Sequence, residues 1–512
     1  MPRRSVAGVF ASVATFSLEG VESREVTVEV DLRRGLPVFA VVGLPDAGVR
    51  EARERVRAAL LNSGREFPLK RITANLAPAH LRKAGPSFDL ALAVALLAAS
   101  AQVPREGLER YAVCGELSLS GRLRPVLGTL AMALGARRAG YAKLIVPVPN
   151  ASEAALVDGL DVLGVESLEG IVDLLHGRWR PDPPRRPEPA ASGASSADLA
   201  DVRGQADARR ALEIAAAGGH HLLMIGPPGV GKTMLARRLP GILPPPSFDE
   251  AVEITRIHSV AGVGAGGVAA ERPFRAPHHT ISASGLIGGG ASPRPGEISL
   301  AHRGVLFLDE LGEFARTALE ALRQPLESGH VEVMRGQRAI VFPAEAMVVG
   351  ACNACPCGRP REECTCHDAD RARYARRLSG PLLDRIDLVC DLAPAPPLAV
   401  AGGSPPSSEP SADVRGRVVA ARALQAERLD GSGALTNAAM DAGLTRRLVG
   451  LDAVARGRRD DWGAGARLSG RGHDRVLRVA RTIADLAGRP AVEAEHLDEA
   501  LGYRVGASRG AA

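Results

Sequence analysis

The chain of 512 residues is too long for one ordinary domain and long enough for two or three, each burying its own core. A composition that is 46% apolar and only 3% aromatic fits a soluble globular chain and excludes a fibrous or wholly disordered one. The formal net charge of +6 permits a polyanionic partner without requiring one, and the longest nearly charge-free stretch, Leu90–Val103, falls short of the roughly 20 residues of a membrane helix, so no membrane span is predicted.

The opening, MPRRSVAGVFASVATFSLEG, carries two arginines and an apolar run. Ser and Thr break that run and no clear cleavage site precedes Glu19 and Glu22, so a cytoplasmic location is expected rather than export. Up to Gly177, β-like runs (Arg24–Val30, Val38–Val42) alternate with helical ones (Asp46–Ser63, Ser87–Ala99), which predicts an α/β domain. Within it, Gly85-Pro-Ser87-Phe-Asp89 and the stretch Cys114–Pro125 (CGELSLSGRLRP) resemble the proteolytic domain of Lon, a ribosomal-S5-domain-2-like fold. By that resemblance Ser87 takes the nucleophile position, while the lysine of the protease's dyad falls at or next to Leu130, where there is no amine. A serine without a base is a poor nucleophile, so residues 1–177 are expected to be an inactive protease scaffold used for binding or assembly.

Two segments, 178–198 and 393–412, are rich in Pro, Ser, Gly and Ala and read as linkers. Between them the predicted core, 199–392, opens with a helix, Gln205–Ala217, and an apolar strand, His221–Ile225. A phosphate loop follows at once: Gly226-Pro227-Pro228-Gly229-Val230-Gly231-Lys232-Thr233 fits G-x-x-x-x-G-K-[ST] between strand and helix. Its glycines let backbone amides turn inward around phosphates, Lys232 reaches the outer phosphates, and the Thr233 hydroxyl can ligate Mg²⁺. A second apolar strand, Val305–Leu308, delivers Asp309 to hold Mg²⁺ and Glu310 to deprotonate the attacking water, ahead of a helix over Gly312–Ser328. A third, Ala346–Ala351, ends near Asn353, a polar amide that could help place that water.

The segments GPPGVGKT, RPFRAPHHT, RPGEISLAHRGVLFLDEL, CNACPCG and LSGPLLDRID together resemble the bacterial magnesium-chelatase-like AAA+ family of ComM/YifB type, over nearly the whole chain. That resemblance implies an ATPase that assembles as a hexameric ring and works on DNA. It also assigns Arg385 as the finger that reaches the γ-phosphate of a neighbouring subunit, where a guanidinium offsets transition-state charge. Arg471, with Arg467 as its nearest competitor, corresponds to the second sensor arginine.

Between phosphate loop and Asp309 the long glycine-rich stretch Val260–Ser299 reads as a functional loop. Its adjacent histidines, His278 and His279, are too close together to share one metal comfortably and are not read as ligands. Val331–Phe342 reads as a β-hairpin turning near Gly336 with Arg335 and Arg338 at its tip. In related ring ATPases both insertions face a central pore, where basic hairpins can grip phosphate backbones.

Five of the seven cysteines crowd into Cys352–Cys366, which fits a metal site better than a disulfide framework. The family's CPCG and C-x-C pairs point to Cys355, Cys357, Cys364 and Cys366 as ligands of a structural Zn²⁺, although one-residue spacing is tighter than the usual C-x₂-C. Residues 413–512 show helical spacing, as in Asp474–Leu486 and Val492–Leu501, and are expected to form a helical lid domain. The expected function is an ATP- and Mg²⁺-dependent motor on branched or single-stranded DNA, a branch-migration helicase serving natural transformation. A chelatase motor, an ATP-dependent protease and a protein remodeller are the alternatives.

Overall fold

A computed structural model describes residues 9–187, 197–264, 267–290, 293–335, 338–359, 363–377, 380–393, 409–465 and 468–510. The chain divides into two compact units, residues 1–191 with 248–269, and residues 192–247 with 270–512.

The first unit is built on a seven-stranded sheet in the order Val38–Val42, Arg71–Ala77, Glu22–Arg33, Val9–Glu19, Tyr111–Val113, Lys143–Pro147, Asp161–Val165. The apolar run near the chain start is therefore a strand, paired antiparallel with Glu22–Arg33 from Val9↔Leu32 to Glu19↔Glu22. Period-2 alternation sends successive side chains to opposite faces. Val113, Ile145 and Leu163 join one apolar cluster, and Ala112, Cys114, Leu144, Val146 and Val162 join another. The strands Tyr111–Val113, Lys143–Pro147 and Asp161–Val165 are thus covered on both faces, whereas toward the Val38–Val42 edge alternate residues of Glu22–Arg33 and Arg71–Ala77 stay half-buried or exposed. The helix Asp89–Ala99 is buried all round, which is why its sequence lacks an amphipathic period.

The stretch between the phosphate loop and Asp309 is not one long loop. The helix Phe248–Ala261 packs into the first unit, where Ala251 and Val268 complete the second apolar cluster. Gly128 donates its N–H to the Ser259 carbonyl at 3.2 Å, and Arg256 Nη1 sits 2.9 Å from Glu22 Oε1. Farther on, Phe274–Arg275 forms an edge strand, and Ala283–Ile287 and Glu297–Leu300 are short helices.

The second unit is a five-stranded parallel sheet in the order Phe274–Arg275, Val305–Leu308, Met347–Cys352, Leu222–Ile225, Leu388–Asp391. The helices Ser411–Leu429, Ala442–Leu448, Ala453–Gly465, Gly470–Leu486 and Ala494–Gly510 follow it. One apolar cluster runs from Leu222, Val349 and Leu388 of the sheet into Val418, Val476, Ile483 and Leu497 of these helices, so the helical region shares a core with the sheet. The helix expected over Gly312–Ser328 is broken into a 3₁₀ turn, Leu311–Glu313, and two short helices, Arg316–Ala321 and Arg323–Ser328, because Phe314 and Ala315 are extended. The expected hairpin is present, with His330–Arg335 antiparallel to Arg338–Pro343 and Arg335 opposite Arg338. Its turn at Gly336, and Arg467, lie outside the described residues. Among the described residues no helix is long and apolar enough to cross a membrane.

At the start of the Leu222–Ile225 strand, His221 Nδ1 accepts the Val348 N–H at 3.1 Å, a bond only the neutral ring can make. Burial lowers this histidine to about 4 from 6.5. The stability it contributes is complete above pH 6.5 and is lost as pH falls toward 4, because the unfolded chain takes the proton first. Between pH 7 and 5 unfolding should ease by on the order of 1–2 kcal/mol. His221→Asn, which keeps an acceptor near the same place, should lose that much less in denaturant titrations at the two pH values; an identical pH dependence would contradict the assignment.

Candidate nucleotide site

In an open parallel sheet, ligands bind beyond the carboxyl ends of the strands. Here three neighbouring strands end within two residues of one another, since Ile225 pairs with Cys352 and Leu308 with Gly350. Each then delivers its polar residues to one place: the phosphate loop after Ile225, Asn353 after Cys352, and Asp309-Glu310 after Leu308.

The loop's geometry requires its glycines. Gly231 sits at φ +98°, which an L side chain rarely adopts, and a Cβ on Gly226 would stand 2.6 Å from the Leu392 carbonyl oxygen. The Lys232 ammonium donates to the carbonyls of Gly226 at 2.6 Å and Pro227 at 3.0 Å, and to Asn353 Oδ1 at 3.0 Å. Burial lowers its pKa, with Asp309 opposing that shift. Thr233 Oγ1 donates to Asp309 Oδ2 at 2.6 Å, and the Glu310 N–H donates to Asp309 Oδ1 at 2.9 Å. Both carboxylate oxygens of Asp309 are thereby oriented. Thr233 and Asp309 supply adjacent hard oxygen ligands of the kind Mg²⁺ takes.

Glu310 itself lies at φ +51°, an uncommon conformation for a non-glycine residue and one that concentrates at functional sites. Its side chain is exposed, and its Oε2 lies 3.3 Å from His279 Nδ1. The His279 ring stacks on His278 at 4.1 Å and meets Phe314 edge-on at 6.5 Å. Weighing the two histidines only as metal ligands missed this contact. Sequence offered no signal for it, because the Phe274–Arg275 strand that brings the histidines beside the strand preceding Glu310 is only two residues long.

Arg385 and Arg471 stand elsewhere. The Leu388–Asp391 strand runs parallel to Leu222–Ile225 with Leu388 opposite Leu222, so Arg385 lies at the amino ends of the strands. A four-residue strand at about 3.3 Å per residue puts that end on the order of 13 Å from the phosphate loop. Arg385 is buried and pairs with Glu327, and Arg471 Nη1 meets the same Glu327 Oε1 at 3.2 Å. Asp387 fixes this corner: its Oδ2 accepts the His221 N–H at 3.1 Å and its Oδ1 pairs with Arg475 at 3.3 Å.

Cys355, Cys357, Cys364 and Cys366 bring their sulfurs within 4.8 Å of one another, and all seven cysteines are free thiols. Tetrahedral thiolate ligation with bonds of about 2.3 Å needs sulfurs about 3.8 Å apart. The separations are 3.4 Å for Cys355–Cys357, 3.1 Å for Cys355–Cys364 and 3.8 Å for Cys357–Cys364. The donor set thus fits a soft cation. The Arg359 N–H and the neighbouring thiols hold Cys357 down to about 6. Gly358 abuts Pro228 of the phosphate loop, so the cysteine loop borders the nucleotide site. Cys352 stands apart, pushed up to about 12 by burial.

Residues 198–398 match the family described as magnesium chelatase, subunit ChlI; residues 28–150 match subunit ChlI of Mg-chelatase, and 408–504 match its C-terminal part. The chain is 44% identical over 502 residues to YifB of Escherichia coli, covering 96% of each. It is 43% identical over 492 residues to competence protein ComM of Haemophilus influenzae, covering 95% of each. The chain belongs to the magnesium-chelatase-like AAA+ ATPases. ATP and Mg²⁺ come with that family. The Lon-like character of the N-terminal region is also present, with 31% identity over 153 residues to Lon protease 2 of Bacillus subtilis. There Ser87 is buried and Leu130, fully buried, stands at the position compared with the protease lysine. Lys83 is buried close by in sequence, but its ammonium donates to the Pro78 carbonyl.

Proposed function

We propose that this ATPase is a ring motor that moves along DNA, with branch migration during the uptake of transforming DNA as its task. The observation that carries the reading is the pairing of adjacent Lys232 and Thr233 with Asn353 and Asp309 respectively, in a chain related over nearly its full length to a competence protein. Lys232 and the loop amides hold the outer phosphates, Thr233 and Asp309 hold Mg²⁺, and Asn353 orients the water with Glu310. Mg²⁺ when bound offsets phosphate charge. His279 holds the Glu310 carboxylate in place until substrate arrives. Arg385 and Arg471, at the far end of the strands, serve a nucleotide held by another copy, which requires self-association into a ring, as a hexamer.

The hairpin supports a DNA partner. Val331, Ile340 and Phe342 anchor one face, while Met334, Val341 and Arg338 stand exposed on the projecting part. Such a basic, sequence-indifferent element suits backbone tracking. The N-terminal unit acts as a scaffold without protease activity. The family's description favours a second reading, a chelatase-type motor driving a protein partner.

Hydrolysis followed with branched DNA, linear DNA or none discriminates these. DNA should raise turnover at least severalfold; turnover indifferent to DNA would favour the protein-directed motor. Glu310→Gln should retain ATP while turnover falls by about 10²-fold or more, and parental turnover in that variant would remove the base assignment. For the cysteine loop, elemental analysis should find about one zinc per chain, lost on Cys364→Ser with Cys366→Ser; carefully purified protein free of zinc would end that assignment.

A further inference from the structure

The corner that holds Arg385 has more positive charge than its own carboxylates balance. Arg385 and Arg471 converge on Glu327, and Arg475 pairs with Asp387. Arg504 donates to the Ile386 carbonyl at 2.6 Å and, like Arg475, feels Asp387 and Asp384. Arg478 is near enough to depress Arg475, which burial already lowers to about 10. Among the described residues five arginines (385, 471, 475, 478, 504) thus face three carboxylates (Glu327, Asp384, Asp387). Arg475 Nη1 is buried with no hydrogen-bond partner among the described residues. A cluster with surplus guanidinium is receptive to another anion, and a phosphate accepts more donors than a carboxylate does.

Glu327 is the group such an anion must displace. It is half-exposed, whereas Arg385 is almost wholly buried and Arg471 largely exposed. It also closes the short helix Arg323–Ser328 directly before the hairpin. Gly329 donates to the Pro325 carbonyl at 2.9 Å, Ser328 Oγ donates to the His330 carbonyl at 2.9 Å, and Ala344 donates back to Gly329 at 2.8 Å. A change in what Glu327 holds is therefore felt at the base of the hairpin.

We infer that Glu327 is a positioning residue that competes with the terminal phosphate of a second copy's nucleotide for Arg385 and Arg471. This rests on the reading of those arginines as acting across a subunit boundary. While the neighbouring site lacks a triphosphate, the carboxylate neutralises both guanidiniums; when one is present, the phosphate takes them and Glu327 is released with the segment that leads into the hairpin.

The test is steady-state ATP hydrolysis by the full chain with Mg²⁺ and DNA, at a chain concentration where parent and variants assemble. Glu327→Gln removes the competing charge at nearly constant shape and should lower KM for ATP by about fivefold or more, with melting temperature measured in parallel. In the Arg385→Ala background, where hydrolysis is too slow to give a KM, the same substitution should leave the calorimetric dissociation constant for ATP where Arg385→Ala alone sets it. A residue that only braces the corner would lower the melting temperature and leave KM unchanged or raised, and that result overturns the proposal. Should Glu327→Gln fail to fold, Arg471→Gln, on the exposed side, reads the competition from the other partner: it should raise KM about fivefold or more, and an unchanged KM overturns the proposal. If Arg385→Ala keeps parental kcat, the trans-acting reading fails and takes this one with it; if Arg385→Ala collapses turnover while Glu327→Gln leaves KM alone, only the latch fails.

Discussion

Thr233 Oγ1 donating to Asp309 Oδ2 at 2.6 Å joins residues that follow two strands that are not neighbours, Leu222–Ile225 and Val305–Leu308, with Met347–Cys352 lying between them. That bond exists because all three strands run parallel and end within two residues of one another, so that a hydroxyl after one and a carboxylate after another meet across the strand that brings Asn353. The Lys232 ammonium, held on two loop carbonyls and the Asn353 amide, closes the same cluster from the other side. The residues suited to phosphate and Mg²⁺ are thereby gathered at the carboxyl ends of the sheet.

The amino ends carry an opposite arrangement. There, buried Asp387 takes the His221 N–H and Arg475, and the corner between Leu382 and Asp387 presents Arg385 to Glu327. Buried ion pairs of this kind add little net stability, because desolvation offsets their attraction. They do fix one geometry. One sheet thus separates the phosphate loop and Asp309 at its carboxyl ends from a cationic corner at its amino ends.

Much of this was legible in local sequence. The phosphate loop, Asp309-Glu310 after an apolar strand, and the alternation that pairs Arg335 with Arg338 each depend on contiguous residues whose types dictate the backbone. The four clustered cysteines are likewise near one another along the chain. What stayed hidden involves partners far apart in sequence: Glu310 with His279, and Arg385 with Glu327, 58 positions away. The allocation of Phe248–Ala261 was hidden for a related reason. Its sequence carries no address, and only Ala251 and Val268 filling the cluster around Leu130 and Leu144 show which core it joins. Glycine-rich composition likewise suggested one long loop where an edge strand and short helices stand, because two-residue strands leave no periodic trace.

Equilibrium binding of ATP with Mg²⁺ to the isolated full-length chain, by calorimetry, addresses the central claim most directly. The parent should bind one nucleotide per chain, and Lys232→Ala, which deletes the ammonium at the centre of the cluster, should weaken that binding by at least tenfold, about 1.4 kcal/mol. Undiminished affinity in that variant, or a parent that holds no nucleotide in any assembled state, would contradict the placement of the triphosphate between Gly226–Thr233 and Asp309.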